Sequence, residues 1–281
     1  MSYRICVAGL GLMGGSLAFA LKGFRDAEIV GLDSSPAVRA KALEAGAVVF
    51  ATDEACQAVR GADLVVFCVY PRHIPALLST CAPYLKPGAV LSDICGVKTG
   101  LYETIAPLIP EEVDYVGVHP MAGRERDGFE NADPELYQGT GFLITPLPST
   151  QPSAVSLMQE LAAHIGASRV EVVAPRQHDA IIAYTSDLMH IAAAGLCMDY
   201  HSDMTRTYTA GAFRDCTRIA DINAPGWCEL LLANRDNTLA ALDRYIDNLS
   251  RTRDALAHRD ETTLSRLLEQ AGANKREMLT R

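Results

Sequence analysis

The stretch Ile5-Cys6-Val7-Ala8-Gly9-Leu10-Gly11-Leu12-Met13-Gly14-Gly15-Ser16 constrains this chain more than any other. An apolar run enters a turn with glycines at positions 9, 11 and 14 and leaves as a helix-like segment, Met13–Lys22. A second apolar run, Glu28–Leu32, then ends in Asp33. Strand, glycine-rich turn, helix, strand and acid form the βαβ order that holds a dinucleotide. Gly9 makes the tight turn, Gly11 lets the backbone approach a pyrophosphate, and Gly14 lets helix and sheet pack closely. Leu10, Leu12 and Met13 share that turn and are expected against the same cofactor. The helix N-terminus meets negative charge with unpaired N–H groups and its dipole. Asp33 can accept from ribose hydroxyls and would repel a 2′-phosphate, so the expected cofactor is NAD rather than NADP. The competing interpretation is a glycine-rich turn that binds nothing.

The first part of the chain continues the alternation. Candidate strands are Arg4–Ala8, Glu28–Leu32, Leu64–Val69, Ala89–Ser92, Tyr115–Val118, Gly141–Thr145 and Arg169–Val173. Helix-like segments between the early strands are Met13–Lys22, Pro36–Ala45, Glu54–Val59, Ile74–Tyr84 and Lys98–Leu108. The expectation is an α/β, Rossmann-type doubly wound and mostly parallel sheet over residues 1–174. Val69-Tyr70-Pro71 and Cys95 follow candidate strands. They are expected near the cofactor, because ligands sit outside the carboxyl ends of strands in such sheets. From Pro175 to the end no strand pattern appears. Ile181, Tyr184, Leu188 and Ile191 recur at helical spacing, and so do Leu239, Leu242, Ile246, Leu249 and Leu256. Residues 175–281 are therefore expected to be all-helical. Apolar stripes this wide on so few residues bury poorly alone, which predicts a homodimer through the helical domain.

Composition narrows the class. A net charge of −9 argues against a nucleic-acid partner but allows a small anionic substrate held by a few converging arginines. The eight cysteines are scattered, with no disulfide or zinc spacing, and no metal is expected. The apolar runs read as too short for a bilayer, and the N-terminus lacks a secretory pattern. The expected setting is a reduced cytoplasm with no membrane partner.

Three segments carry chemistry. His119 ends an apolar strand and precedes Pro120, which puts an imidazole at the ligand edge of the sheet. It reads either as an acceptor of a hydroxyl proton or as a cap on the strand end. Asp179, Ser186 and His190 fall at spacings of seven and four, which is one helical stripe: a ligand-binding face or an interhelix seam. Asp215 and Arg218 lie three apart, so the acid can orient a guanidinium toward a carboxylate; the bland alternative is a surface pair.

Taken together and in this order, the glycine turn, His119-Pro120-Met121-Ala122-Gly123, His178-Asp179 with Ser186 and His190, and Phe213-Arg214-Asp215-Cys216-Thr217-Arg218-Ile219-Ala220 resemble the prephenate/arogenate dehydrogenase family. The resemblance covers nearly the whole chain. It implies a Rossmann domain with a helical dimerisation domain, and NAD-linked oxidative decarboxylation of a cyclohexadienyl acid in tyrosine biosynthesis. By resemblance, His119 polarises the ring hydroxyl and Arg218, held by Asp215, anchors a carboxylate. His190 and Ser186 bind the side chain, and Glu125 stands at the cleft mouth. Arg124 takes the place of a small hydroxyl residue, Asp187 that of a histidine, and Gly96 that of a serine which bonds the substrate hydroxyl in many relatives. Prephenate is the expected substrate and arogenate the alternative. A β-hydroxyacid-type dehydrogenase is disfavoured because the helix from Pro175 has no lysine before Tyr200. An NAD-sensing dimeric module would have no need of His119 with Arg218.

Overall fold

Apolar residues alternate along the central strands, and each set faces a different helical layer. On β1 (Arg4–Ala8), Ile5 and Val7 join one buried cluster while Cys6 and Ala8 join another. On β4 (Leu64–Phe67), Leu64 and Val66 face the first and Val65 and Phe67 the second. A strand covered on both faces needs such a continuous apolar run. The computed structural model describes residues 2–124, 126–199 and 206–278.

One eight-stranded sheet runs in the order β3-β2-β1-β4-β5-β6-β7-β8. The remaining strands are β2 (Glu28–Leu32), β3 (Phe50–Thr52), β5 (Val90–Asp93), β6 (Asp114–Pro120), β7 (Gly141–Pro146) and β8 (Arg169–Val172). Every neighbouring pair is parallel except β6 with β7. The three-residue β3 was not anticipated; it is too short to show a period. The covering helices are α1 (Leu12–Ala20), α2 (Pro36–Glu44), α3 (Ala55–Val59), α4 (Ile74–Cys81), α5 (Thr99–Ile105) and α6 (Pro152–His164). Because β1 pairs with both β2 and β4, the strand order reverses there and opens a crevice beyond their carboxyl ends.

Beyond Val172 the described residues hold no strand. Helix α7 (Pro175–Ile182) continues through a π-turn (Ala183–Asp187) into α8 (Leu188–Met198). This 24-residue helix, with mean hydropathy 1.4, is longer than the sequence reading allowed and is long and apolar enough to cross a membrane by length and composition. Its buried Asp179 and Asp187 bond to α5 and α11, however, which places those faces inside protein. Next come α9 (Gly211–Thr217), a tight turn (Arg218–Ala220), α10 (Ala224–Ala233), α11 (Arg235–Ala257) and α12 (Glu261–Met278). The helical part buries little within the subunit: its own cluster is Ala183, Leu188 and Ala241, with Leu242 and Tyr245 packed on it. Leu239, Ile246, Leu249 and Leu256 on α11 are about half exposed. The cysteines are all free, and Cys197, Cys216 and Cys228 of the helical part are exposed.

Candidate active site

The glycine turn is shaped as its spacing requires. Gly9 sits at φ +94°, and a Cβ there would meet the Cys68 carbonyl oxygen at 2.5 Å. A Cβ on Gly14 would meet the Gly9 carbonyl oxygen at 1.8 Å, so only glycine lets α1 lie this close to the turn. Gly11, by contrast, faces open space. No side chain caps the N-terminus of α1, which leaves its first amides for a ligand. Gly11, Leu12 and Met13 line a cavity of about 600 Å³ with Val69, Tyr70, Pro71 and Cys95. The cradle and its amide donors fit a pyrophosphate.

Asp33 has a second task. Its Oδ2 accepts from Leu10 N–H at 2.8 Å and its Oδ1 from Ser35 N–H at 2.8 Å. The acid therefore holds the turn through Leu10 while retaining lone pairs for a ribose. Asp33→Ser is expected to relax discrimination against NADP and also to weaken NAD binding, since Leu10 N–H loses its carboxylate. Michaelis constants for both cofactors check this; NADP remaining as poor as in the wild type would contradict it.

The second cavity, about 670 Å³, is lined by His119 and Gly96 from the sheet edge and by Ser186, His190, Arg218 and Trp227 from the helical part. His119, Gly96, Tyr70 and Trp227 line both cavities, so the two are contiguous. His119 arrives at the end of β6, and its Nδ1 lies 2.9 Å from His178 Nε2. His178 Nδ1 lies 2.9 Å from Asp179 Oδ1. Asp179 also accepts from the backbone N–H groups of Lys98 (3.0 Å) and Thr99 (2.8 Å) at the start of α5. Beneath His119, the fully buried Lys98 ammonium donates to Asp93 Oδ1 at 2.5 Å and to the Val118 carbonyl at 2.7 Å. Burial pushes the His119 pKa well below 6.5, and His178 and Lys98 push it the same way. The imidazole is thus neutral at pH 7, as a base must be.

Facing it, His190 Nδ1 is 3.0 Å from the Ser186 carbonyl, and its ring stacks on Trp227 with centroids 3.6 Å apart. Arg218 opens the tight turn after α9 and also lines a third cavity with Arg124 and Arg126. The cleft is closed across the domains. Asn223 donates to Asp127 Oδ2 at 2.7 Å, and Arg72 N–H donates to Glu229 Oε1 at 2.7 Å. A base, a guanidinium and an apolar wall beside a dinucleotide cradle suit dehydrogenation of a small hydroxylated acid. No cluster of metal-ligating side chains occurs among the described residues.

Two family profiles match nearly end to end: "Prephenate dehydrogenase, nucleotide-binding domain" over residues 17–171 and "Prephenate dehydrogenase, dimerization domain" over 174–270. The chain belongs to the prephenate dehydrogenase family. It is 35% identical over 267 residues to the cyclohexadienyl dehydrogenase of Zymomonas mobilis, covering 92% of this chain and 89% of that one. It is 29% identical over 278 residues to the prephenate dehydrogenase of Bacillus subtilis, covering 96% and 75%. Among solved structures, prephenate dehydrogenase from Aquifex aeolicus, in complex with hydroxyphenyl propionate and NAD+, superposes with a TM-score of 0.88 at 25% identity, covering 99% of each chain.

Within this dehydrogenase fold, His119, Ser186, His190, Arg124 and Arg218 converge on one cavity. Two sequence expectations need correction. Asp179, Ser186 and His190 do not form one stripe. The π-turn between them adds a residue and rotates the phase by about 100°, so Asp179 faces α5 while Ser186 and His190 face the cavity. Nor does Asp215 hold Arg218. The backbone stays helical there, with the Arg218 N–H bonded to the Arg214 carbonyl, but among the described residues the Asp215 side chain is exposed with no hydrogen bond or ion pair. Arg124 is paired with Asp133 beside the cavity. Glu125 lies outside the described residues. Asp187 is buried, with Oδ2 accepting from Asn234 and Thr238 of the α11 region at 2.9 Å each. At Gly96 an added Cβ would lie 3.7 Å from His119 Nε2, which is ordinary contact, so the position has room for a Cβ.

His178, Trp227, Asn223 and Arg126 also belong to this site, beyond the residues expected from sequence. The adjacent His178-Asp179 and the single tryptophan were visible signals. Asn223 and Arg126 reach the cleft only because the two domains close over it.

Proposed function

We propose that this protein catalyses NAD-dependent oxidative decarboxylation of prephenate to 4-hydroxyphenylpyruvate, a step of tyrosine biosynthesis. The observation that carries the proposal is the convergence of His119 and Arg218, from different domains, on a cavity contiguous with the glycine-turn cradle. Gly9, Leu10, Gly11, Leu12, Met13, Gly14 and Asp33 would hold the adenosine and pyrophosphate of NAD, and Val69, Tyr70, Pro71 and Cys95 its nicotinamide half. When bound, NAD supplies the acceptor for the hydride that leaves the hydroxyl-bearing ring carbon.

The chain's own residues do the rest. His119 Nε2 takes the hydroxyl proton as the C–H bond breaks. The bond from the para ring carbon to its carboxylate then breaks and releases carbon dioxide. Its electron pair completes the aromatic ring, and the proton returns from Nε2 to the phenol oxygen. Aromatisation drives the reaction, so the residues chiefly orient the reactants and polarise one hydroxyl. Arg218 anchors a substrate carboxylate, Arg124 adds positive charge, and Ser186 and His190 bind the side chain while Trp227 backs His190.

The similarity to a cyclohexadienyl dehydrogenase and the buried acid Asp187 on the cavity wall favour one second reading, arogenate oxidised to tyrosine. NADH absorbance with NAD and each acid in turn tests both; no NADH with either would overturn the proposal.

The half-exposed leucines of α11 support a homodimer through the helical domain. Light scattering is expected to give twice the chain mass, and Ile246→Glu with Leu249→Glu to shift it toward the monomer. A monomeric wild type would rule this assembly out.

A further inference from the structure

Two imidazoles in hydrogen-bond contact pose a problem of proton placement, because each neutral ring carries only one N–H. Here the far end of the chain decides it. Asp179 is a carboxylate that accepts from two backbone N–H groups of α5, and its Oδ1 also faces His178 Nδ1 at 2.9 Å. A carboxylate in that setting has no proton to give, so His178 Nδ1 carries one and donates it. Neutral His178 then has a bare Nε2, which must accept from His119 Nδ1–H at 2.9 Å. His119 is left with its lone pair on Nε2, which, like Cε1, lies 3.7 Å from a Cβ built on Gly96 in the cavity wall. Burial lowers the His178 pKa, keeping that ring neutral. The order cannot reverse without leaving an N–H facing an N–H or exposing a buried lone pair.

We propose that His178, oriented by Asp179, is a positioning residue that fixes His119 in the Nδ1–H tautomer and presents its Nε2 lone pair to the substrate hydroxyl. The proposal rests on the reading of His119 as the base. It also ties that base to domain docking, since His178 and Asp179 belong to α7 whereas His119 and the α5 amides belong to the sheet domain. When α7 is docked on α5, the base has its working tautomer.

Nitrogen NMR of the histidine-labelled full-length protein at pH 8, with His119→Asn used to assign the signals, reads the tautomer directly. The expected spectrum shows His119 protonated at Nδ1 and bare at Nε2. The opposite tautomer would overturn the proposal. Kinetics give the second arm. His178→Leu removes the acceptor and is expected to lower kcat about 10²–10³-fold, the scale of a misdirected general base. KM for NAD and for the acid should change little. His178→Gln keeps an acceptor oxygen near the Nε2 position and is expected to recover most of kcat. Equal loss in both variants, or no loss in the leucine variant, would assign His178 a merely structural role and overturn the proposal. A wild type that oxidises neither prephenate nor arogenate would refute the activity reading, while the nitrogen spectrum would still decide the tautomer.

Discussion

His119→Asn is expected to lower kcat by about 10²–10⁴-fold and to leave NAD affinity nearly unchanged. Asparagine keeps a side-chain N–H where His119 Nδ1 now faces His178 Nε2, so the buried contact at 2.9 Å can survive while the proton acceptor is lost. His119 lines the same cavity as Gly11, Leu12 and Met13, but the cradle itself is backbone of β1 and α1, which the substitution does not alter. Stopped-flow or steady-state NADH formation, with NAD binding measured separately, checks the split; normal turnover would remove His119 from the mechanism.

The same group sets the acid limb. Burial first, then His178 and Lys98, hold the His119 pKa well below 6.5. The base therefore stays unprotonated, and kcat/KM should hold its plateau below the pH at which an ordinary histidine would have lost it. Linkage gives the matching stability effect. The unfolded chain binds this proton near pH 6.5 and the native chain does not. Stability contributed above that pH is therefore lost as pH falls from 6.5 toward the folded pKa. His178, also shifted down, acts in the same direction. Melting temperature followed from pH 7.5 to 5.5 should fall, and His119→Asn should remove part of the slope.

Arg218→Ala is expected to raise KM for the acid by about 10–100-fold, or about 1.4–2.8 kcal/mol, with a smaller change in kcat. Arg218 lines the substrate cavity opposite the sheet edge and shares the neighbouring cavity with Arg124 and Arg126. A guanidinium meets a carboxylate through two parallel N–H donors, an arrangement a lysine cannot reproduce. Arg218→Lys should therefore recover only part of the loss. The residue is exposed at the cleft, and two further arginines stand nearby, so the effect stays below that of stripping a partner from a fully buried charge. An unchanged KM would show that the carboxylate is held elsewhere.

Local rules carried much of this molecule. A glycine pattern with an acid one strand later is decided within a few residues by φ and by Cβ contacts. The structure bears this out: Gly9 at φ +94° and a Gly14 that cannot carry a Cβ. Unbroken apolar runs such as Val65-Val66-Phe67-Cys68-Val69 foretold a sheet covered on both faces, because alternate side chains must each find a core. The absence of strand signal after Pro175 foretold the helices.

Other features were beyond local rules because they depend on phase and docking. A single extra residue in the π-turn turned Asp179 away from Ser186 and His190, and no period count over that segment registers such an insertion. Asp215 and Arg218 keep helical spacing, yet the Asp215 carboxylate is exposed to solvent and makes no bond to the guanidinium, because an exposed pair gains little by closing. The link from Asp179 through His178 to His119 joins residues about sixty positions apart in the chain. Sequence alone determined which residues could bind, accept a proton or turn the backbone. Tertiary structure decided which of them meet, because hydrogen bonds reach only about 3 Å and the closing of two domains sets that distance.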